Sequence, residues 1–413
     1  MRNTVISSIL ICAVAYGVTV LAGNGRLAMG SNPHGGPFNL PPQSVFVDPK
    51  SFAVLGSSSA FRNSSFDSFF NPTLTVAPFF QIFDRAFLSI LGPNPSIREI
   101  ASNSTFAFAH EAPVFVPNTN EVFFASNDGG ALGMSDLNHN NVIGKISLND
   151  VDGAFAANNS PVNVPVTLLN LPDTIQMTNG GTGPFKSSLL LITSGRGLRP
   201  PSIVLVNPKA PHNATVLLDN YFGRQFNSLN DIKVHPSGKL FFTDVVYGFV
   251  NHFRPNPLLP NQVYRFDPDT SAVRVVATDF DKCNGIAFTP DGKTAYITDT
   301  GAVGIAINQT EPATIYAFDV DSRTQAFTNR RVFAYVDTGI PDGLQVDLAG
   351  NVYSGCGDGV QVWNDEGVLL GKFFLGATSA NMVFAGDGRL VILAETKIFL
   401  ANIAAKGIKP IVP

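Results

Sequence analysis

The chain has 413 residues, of which 45% are hydrophobic and 14% charged, with a formal net charge of −4. That apolar content excludes a disordered chain, the low charge excludes a coiled coil or helical array, and the absence of a Lys/Arg cluster removes the basis for nucleic-acid binding. Thirty-seven Gly, 29 Pro and 34 Phe predict many short strands joined by many turns.

In chain order, the first feature is the apolar run Thr4 to Ala22, preceded only by Arg2 as a positive charge. Its small-x-small end, Val20-Leu21-Ala22, predicts a signal peptide over residues 1–22. An uncleaved membrane anchor is the alternative for a run of this length. Residues 23–45, rich in Gly, Pro and Asn, read as a loose leader, and residues 46–413 as a single domain. Under either reading the rest of the chain faces an oxidising space, and with the signal cleaved the chain is expected to be secreted and extracellular. Five Asn-x-Ser/Thr sequons agree with it, and N-glycans are expected on some of Asn63, Asn103, Asn158, Asn213 and Asn308. Outside the signal only Cys283 and Cys356 remain, too few for a disulfide scaffold, so they either pair once or stay free.

The body of the chain is repetitive. Asn230-Asp-Ile-Lys-Val-His-Pro-Ser-Gly238, Asn284-Gly-Ile-Ala-Phe-Thr-Pro-Asp-Gly292 and Asp342-Gly-Leu-Gln-Val-Asp-Leu-Ala-Gly350 each place a polar head eight positions before a turn glycine. Looser copies are headed by Glu111, Asn179 and Asn381. Each continues into a second strand and then two more, such as Val263 to Asp267 with Val273 to Ala277. Pro-Ser-Gly and Pro-Asp-Gly supply hairpin turns, with Gly taking the positive φ. Six four-stranded antiparallel units predict an all-β, six-bladed β-propeller, because an isolated blade exposes apolar faces that only a ring can bury. The last unit is short, and a strand from within Phe52 to Phe80 is expected to complete it and close the ring. His235, between a strand and its turn, reads as a surface residue.

In a propeller the first strand of each blade lines the central channel, so the six heads converge at one height on the axis. Glu111, Asn179, Asn230, Asn284, Asp342 and Asn381 all offer oxygen. This donor set suits a hard divalent cation, Ca²⁺ first and then Mg²⁺ or Mn²⁺, with Zn²⁺ a further candidate. Two carboxylates would balance one such ion; without it they would repel and one would be protonated. The alternative is that these residues only cap turns.

The segment Asn284 to Thr300 resembles the signature of the senescence-marker-protein/gluconolactonase/luciferin-regenerating-enzyme family. Asn227-Ser-Leu-Asn-Asp231 and Phe242-Thr-Asp-Val-Val-Tyr-Gly248 are similar to two of its other motifs, and Phe253-Arg-Pro with Leu259 to Phe266 resembles the fungal secreted lactonohydrolase branch. The resemblance covers about residues 105 to 400. It implies a six-bladed propeller holding a divalent ion, and lactone hydrolysis. Carried over motif by motif, it implies Glu111, Asn230, Asn284 and Asp342 as the metal ligands. Leu229 and Val245 stand where the family has proline beside the site, departures that bear on the substrate rather than the metal.

Hydrolysis of a cyclic ester needs a polarised carbonyl and an activated water, both within reach of a bound cation. Asp342 is the first candidate for general base and Glu111 the second. His110 could relay a proton, and Asn179, Tyr247 and Arg254 are candidate substrate contacts. No Gly-x-Ser-x-Gly elbow or phosphate loop occurs. The expected function is a secreted, metal-dependent lactonase acting on a sugar-acid lactone. A phosphotriesterase-like hydrolase and a non-catalytic propeller with a structural cation are the alternatives.

Overall fold

The computed structural model describes residues 39–57, 60–130, 132–157, 161–386 and 388–409. The expected signal peptide, most of the leader and the Asn158 sequon lie outside them.

The described residues form the six blades of a propeller. The first comprises strands Glu111–Val116, Glu121–Ala125, Ile143–Ser147 and Thr167–Leu168. The second comprises Thr178–Phe185, Ser188–Thr193, Ser202–Val206 and Ala214–Leu218, the third Leu229–Val234, Leu240–Asp244, Gln262–Asp267 and Ala272–Ala277. The fourth runs Cys283–Phe288, Thr294–Asp299, Thr314–Val320 and Phe327–Tyr335, the fifth Leu344–Val346, Val352–Cys356, Gly359–Trp363 and Leu369–Phe374. Asn381–Phe384, Arg389–Ala394 and Lys397–Asn402 belong to the sixth. Its fourth strand is Ser96–Ser102, antiparallel to Lys397–Asn402. That strand lies later in the chain than the Phe52 to Phe80 segment expected in its place. Phe79–Ile82 instead adds a fifth strand to the fifth blade, and Ser44–Phe46 pairs parallel to it as a sixth.

The alternation of strand side chains explains why blades assemble only as a ring. Leu189 and Leu191 pack with Val114 and Phe123 of the first blade, whereas Leu190 and Ile192 pack with Ile232 and Phe242 of the third. Phe241, one residue from Phe242, faces Ile286 and Ile297 of the fourth. The remaining clusters join the fourth blade to the fifth, the fifth to the sixth and the sixth to the first, so six apolar layers fill six interfaces. A period of two delivers one apolar row to each neighbour.

The turn glycines behave as their motifs require, with φ of 78° at Gly238 and 70° at Gly292. His235 is a correction to the surface expectation: it is 7% exposed, packed against Phe241 and Phe288, with Nε2 2.9 Å from the Gly292 carbonyl oxygen of the next blade. Nδ1 accepts the Ser237 amide, so the ring is held neutral with Nε2–H donating. Cys283 and Cys356 are both buried and free. The four described sequon asparagines are exposed. No helix among the described residues is long and apolar enough to cross a membrane.

Candidate active site

The heads reach the axis through a repeated irregularity of the ladder. In the third blade Leu229 pairs with Asp244 and Ile232 with Phe242, leaving Asn230 and Asp231 opposite Thr243 alone. In the fourth, Asn284 and Gly285 lie opposite Thr298, and in the second Asn179 and Gly180 lie opposite Ile192. Each is a β-bulge, which re-aims the side chains at the start of the strand. In the first blade Glu111 is the last paired residue before its bulge. Asp342 lies two residues before its strand, donating its amide to the Gly355 carbonyl at 2.8 Å.

A bulge leaves backbone groups to be satisfied, and a threonine does this twice. The Asp231 amide donates to Thr243 Oγ1 at 3.0 Å, and that hydroxyl donates to the Asn284 carbonyl at 2.7 Å. One blade on, the Gly285 amide donates to Thr298 Oγ1 at 2.6 Å, and the hydroxyl donates to the Asp342 carbonyl at 3.0 Å. Each head is thus tied to the blade before it. The aspartates that follow these threonines anchor the entry loops: Asp244 accepts the Asn227 and Ser228 amides, and Asp299 those of Asp281 and Lys282. The Thr-Asp pairs of the repeat are therefore scaffold for the heads. The close approach of neighbouring heads also explains the glycines after them, since a Cβ on Gly285 would collide with the Asp342 carbonyl and one on Gly343 with the Asn381 side chain.

At the centre, ligand atoms of His110, Glu111 and Asp342 lie within 4.8 Å of one another. Glu111 is buried and accepts a hydrogen bond from Asn381 Nδ2 at 2.8 Å, while His110 and Asp342 are partly exposed. Asn284 lies beside the Asp342 carboxyl and favours its charged form. Asn179 and Asn230 are buried at the same level of their blades. Burial, and then the Asp342 charge, pushes the Glu111 carboxyl well above the usual range, against the pull of His110. Burial raises Asp342 to about 7, with His110 opposing and Glu395 adding to the rise. A buried carboxyl raised further by a second carboxyl beside it is the arrangement a bound cation relieves. Ligand atoms within 4.8 Å of one another can share a single ion with metal–oxygen bonds of about 2.3–2.6 Å. The residues present therefore fit a divalent cation, which Glu111 and Asp342 would hold.

The other expected contacts divide. Tyr247 opens the short helix Tyr247–Val250 after the third blade's Thr-Asp pair and reaches the Thr300 hydroxyl of the fourth, close enough for the Asp342 charge to add to the rise of its phenol caused by burial. Arg254 does not face the site. Its Nε, Nη1 and Nη2 groups meet five acceptors, the carbonyls of Asn227, Gly197, Arg199 and Phe226 and the Gln225 amide oxygen, so its donors are committed to holding loops. Burial lowers its pKa to about 10, against the Asp244 charge.

One residue beside the centre escaped the sequence reading. Glu395, at the end of the sixth blade's second strand, holds His110 Nδ1 at 2.6 Å and accepts from Asn127 Nδ2 at 3.3 Å. Burial works against the His110 cation, but Glu395, Glu111 and Asp342 together lift it to about 10. The available signal was the alignment of Ala394-Glu395 with the Thr-Asp pairs of other blades.

The fold and the centre together define a six-bladed propeller with an oxygen-rich, cation-fitting site on its axis. Residues 143–395 match the family model described as the SMP-30/Gluconolactonase/LRE-like region. Lactonohydrolase oryL of Aspergillus oryzae is 31% identical over 376 residues, covering 85% of this chain and 80% of its own length. The gluconolactonase of Zymomonas mobilis is 29% identical over 204 residues, 47% of this chain and 55% of that protein. A solved gluconolactonase of Xanthomonas campestris shares the fold at a TM-score of 0.60 and 24% identity, covering 78% of this chain and 94% of that one. The chain belongs to the SMP-30/gluconolactonase/LRE-like family.

Proposed function

We propose that this chain is a secreted hydrolase that opens a lactone, of the sugar-acid type, at the axial site with the help of a divalent cation. The observation that carries the reading is the closeness of Glu111 and Asp342, with Asn381 on the Glu111 carboxylate and Asn284 beside Asp342, in a propeller of this family. The names of its lactonohydrolase and gluconolactonase relatives supply the reaction class. The exposed sequons at Asn63, Asn103, Asn213 and Asn308 suit a glycosylated, extracellular protein.

A cation bound here would polarise the lactone carbonyl and acidify a water. Its oxygen donors suit Ca²⁺, with Mg²⁺, Mn²⁺ or Zn²⁺ behind. The chain's own residues divide the remaining work. Asp342 is partly exposed and so reachable, whereas Glu111 is buried and bound by Asn381; Asp342 therefore takes the proton of the attacking water. The water oxygen bonds to the carbonyl carbon, the ring C–O bond breaks, and the departing ring oxygen receives the proton that Asp342 took from the water, giving the open hydroxy acid. Tyr247, near enough to feel the Asp342 charge, and the blade head Asn179 are the side chains assigned to orient the substrate. The partial exposure of His110 and Asp342 favours this reading over a purely structural cation, which would need no open side. Titrating acid release from aldonate, aromatic and acyl-homoserine lactones with several divalent ions tests it. Turnover of an aldonate lactone is expected; no turnover of any lactone by folded, metal-loaded protein would rule the reading out.

A further inference from the structure

We infer that His110 is a nitrogen ligand of the axial cation and that Glu395 is the carboxylate that orients it, so the site prefers a borderline transition ion to Ca²⁺. The inference rests on the cation-site reading above and adds to it a ligand that the oxygen-bearing heads do not include. His110 offers a ring nitrogen within 4.8 Å of the Glu111 and Asp342 carboxylates, close enough to share one ion with them. Its Nδ1 is engaged by Glu395 Oε1 at 2.6 Å, so the nitrogen left for the centre is Nε2.

A carboxylate on one ring nitrogen with a metal on the other is the usual way a ligating histidine is fixed in orientation and tautomer. The support is built in depth. Glu395 is held from its other oxygen by Asn127, and its backbone carbonyl accepts the Ala109 amide at 3.0 Å, one residue before His110. Both side chains are largely covered, 18% exposed for His110 and 12% for Glu395. The clasp crosses the seam between the sixth and first blades, so closing the ring also places the ligand. Imidazole suits Zn²⁺ and its transition-series neighbours, whereas Ca²⁺ takes oxygen. One imidazole among carboxylates and amides therefore moves the preference toward the Mn²⁺-to-Zn²⁺ end.

The test uses metal-stripped full-length protein loaded with one equivalent of Mn²⁺ and read by pulsed electron paramagnetic resonance, which detects a directly bound nitrogen through its nuclear modulation. Nitrogen modulation is expected in the parent and lost in His110→Asn, which retains an oxygen donor and still takes up the ion. In Glu395→Gln, Zn²⁺ affinity measured by calorimetry should fall by about 10–100-fold, with Ca²⁺ affinity changing much less. Mn²⁺ bound without nitrogen modulation, modulation that persists in His110→Asn, or equal losses for Zn²⁺ and Ca²⁺ in Glu395→Gln would each overturn the assignment while leaving the cation site standing. Failure of the parent to take up Mn²⁺, Zn²⁺ or Ca²⁺ would overturn the site itself. Should His110→Asn not fold, the Glu395→Gln selectivity decides alone.

Discussion

Asp342 concentrates the chemistry of the site in one side chain. It is partly exposed, raised to about 7 chiefly by burial, and lies with Glu111 in the central cluster. Replacing it with Asn keeps the shape and removes both the base and one negative charge. Lactone kcat/KM should fall by about 10²–10⁴-fold, while the denaturation midpoint should not fall, because a carboxylate repulsion is relieved. Full activity in Asp342→Asn would remove it as the base. At this scale the sequence was informative where a motif repeats and silent where only folding makes a neighbour. Glu111 and Asp342 stood out as oxygen-bearing heads. Glu395 did not, because it reaches His110 across 285 residues of chain. Arg254 misled for a related reason: a lone Arg after a family motif looks like a substrate contact until its acceptors are seen.

At the scale of elements, the bulge and its threonine are the device that aims a head. Thr298→Val keeps the volume but leaves the Gly285 amide and the Asp342 carbonyl without their partner. Each buried unsatisfied group costs about 1–3 kcal/mol, so chemical denaturation should show a loss of that order, and cation affinity should weaken with it. Thr298→Ser restores the hydroxyl and should restore most of both; an unchanged Thr298→Val would contradict the bridging role. His235 supplies a second test between blades. Burial lowers its pKa below 6.5, opposed by its bond to Gly292, so the folded state favours the neutral ring. Its contribution is therefore complete above the unfolded value and is lost as pH falls from 6.5 through the lower folded value. Unfolding midpoints between pH 7.5 and 5 should drop more steeply in the parent than in His235→Gln; equal slopes would show that the histidine does not titrate against the fold. This burial was not legible in the repeat, since the groove that covers the ring belongs to the next blade.

For the whole molecule, the six apolar layers have no independent unit among them, because every blade shares its faces with two neighbours. The chain's single tryptophan, Trp363, is buried in the layer between the fourth and fifth blades. Its fluorescence reports one interface while far-ultraviolet circular dichroism reports all blades. The two transitions should coincide in denaturant; separate midpoints would mean that the ring opens in parts. The ring itself was legible, because spacing and alternation repeat. Its closing strand was not, because Ser96–Ser102 carries no head and no turn motif and is recruited by pairing with Lys397–Asn402. The central claim is that this closed ring exists to hold a cation between Glu111 and Asp342 and to open a lactone there. Its most direct test is to follow aldonate-lactone hydrolysis by the full chain before chelation, after exhaustive chelation, and after returning one equivalent of a divalent ion. The account predicts activity lost on chelation and regained with the ion while the protein stays folded; undiminished hydrolysis by the metal-free protein would contradict it.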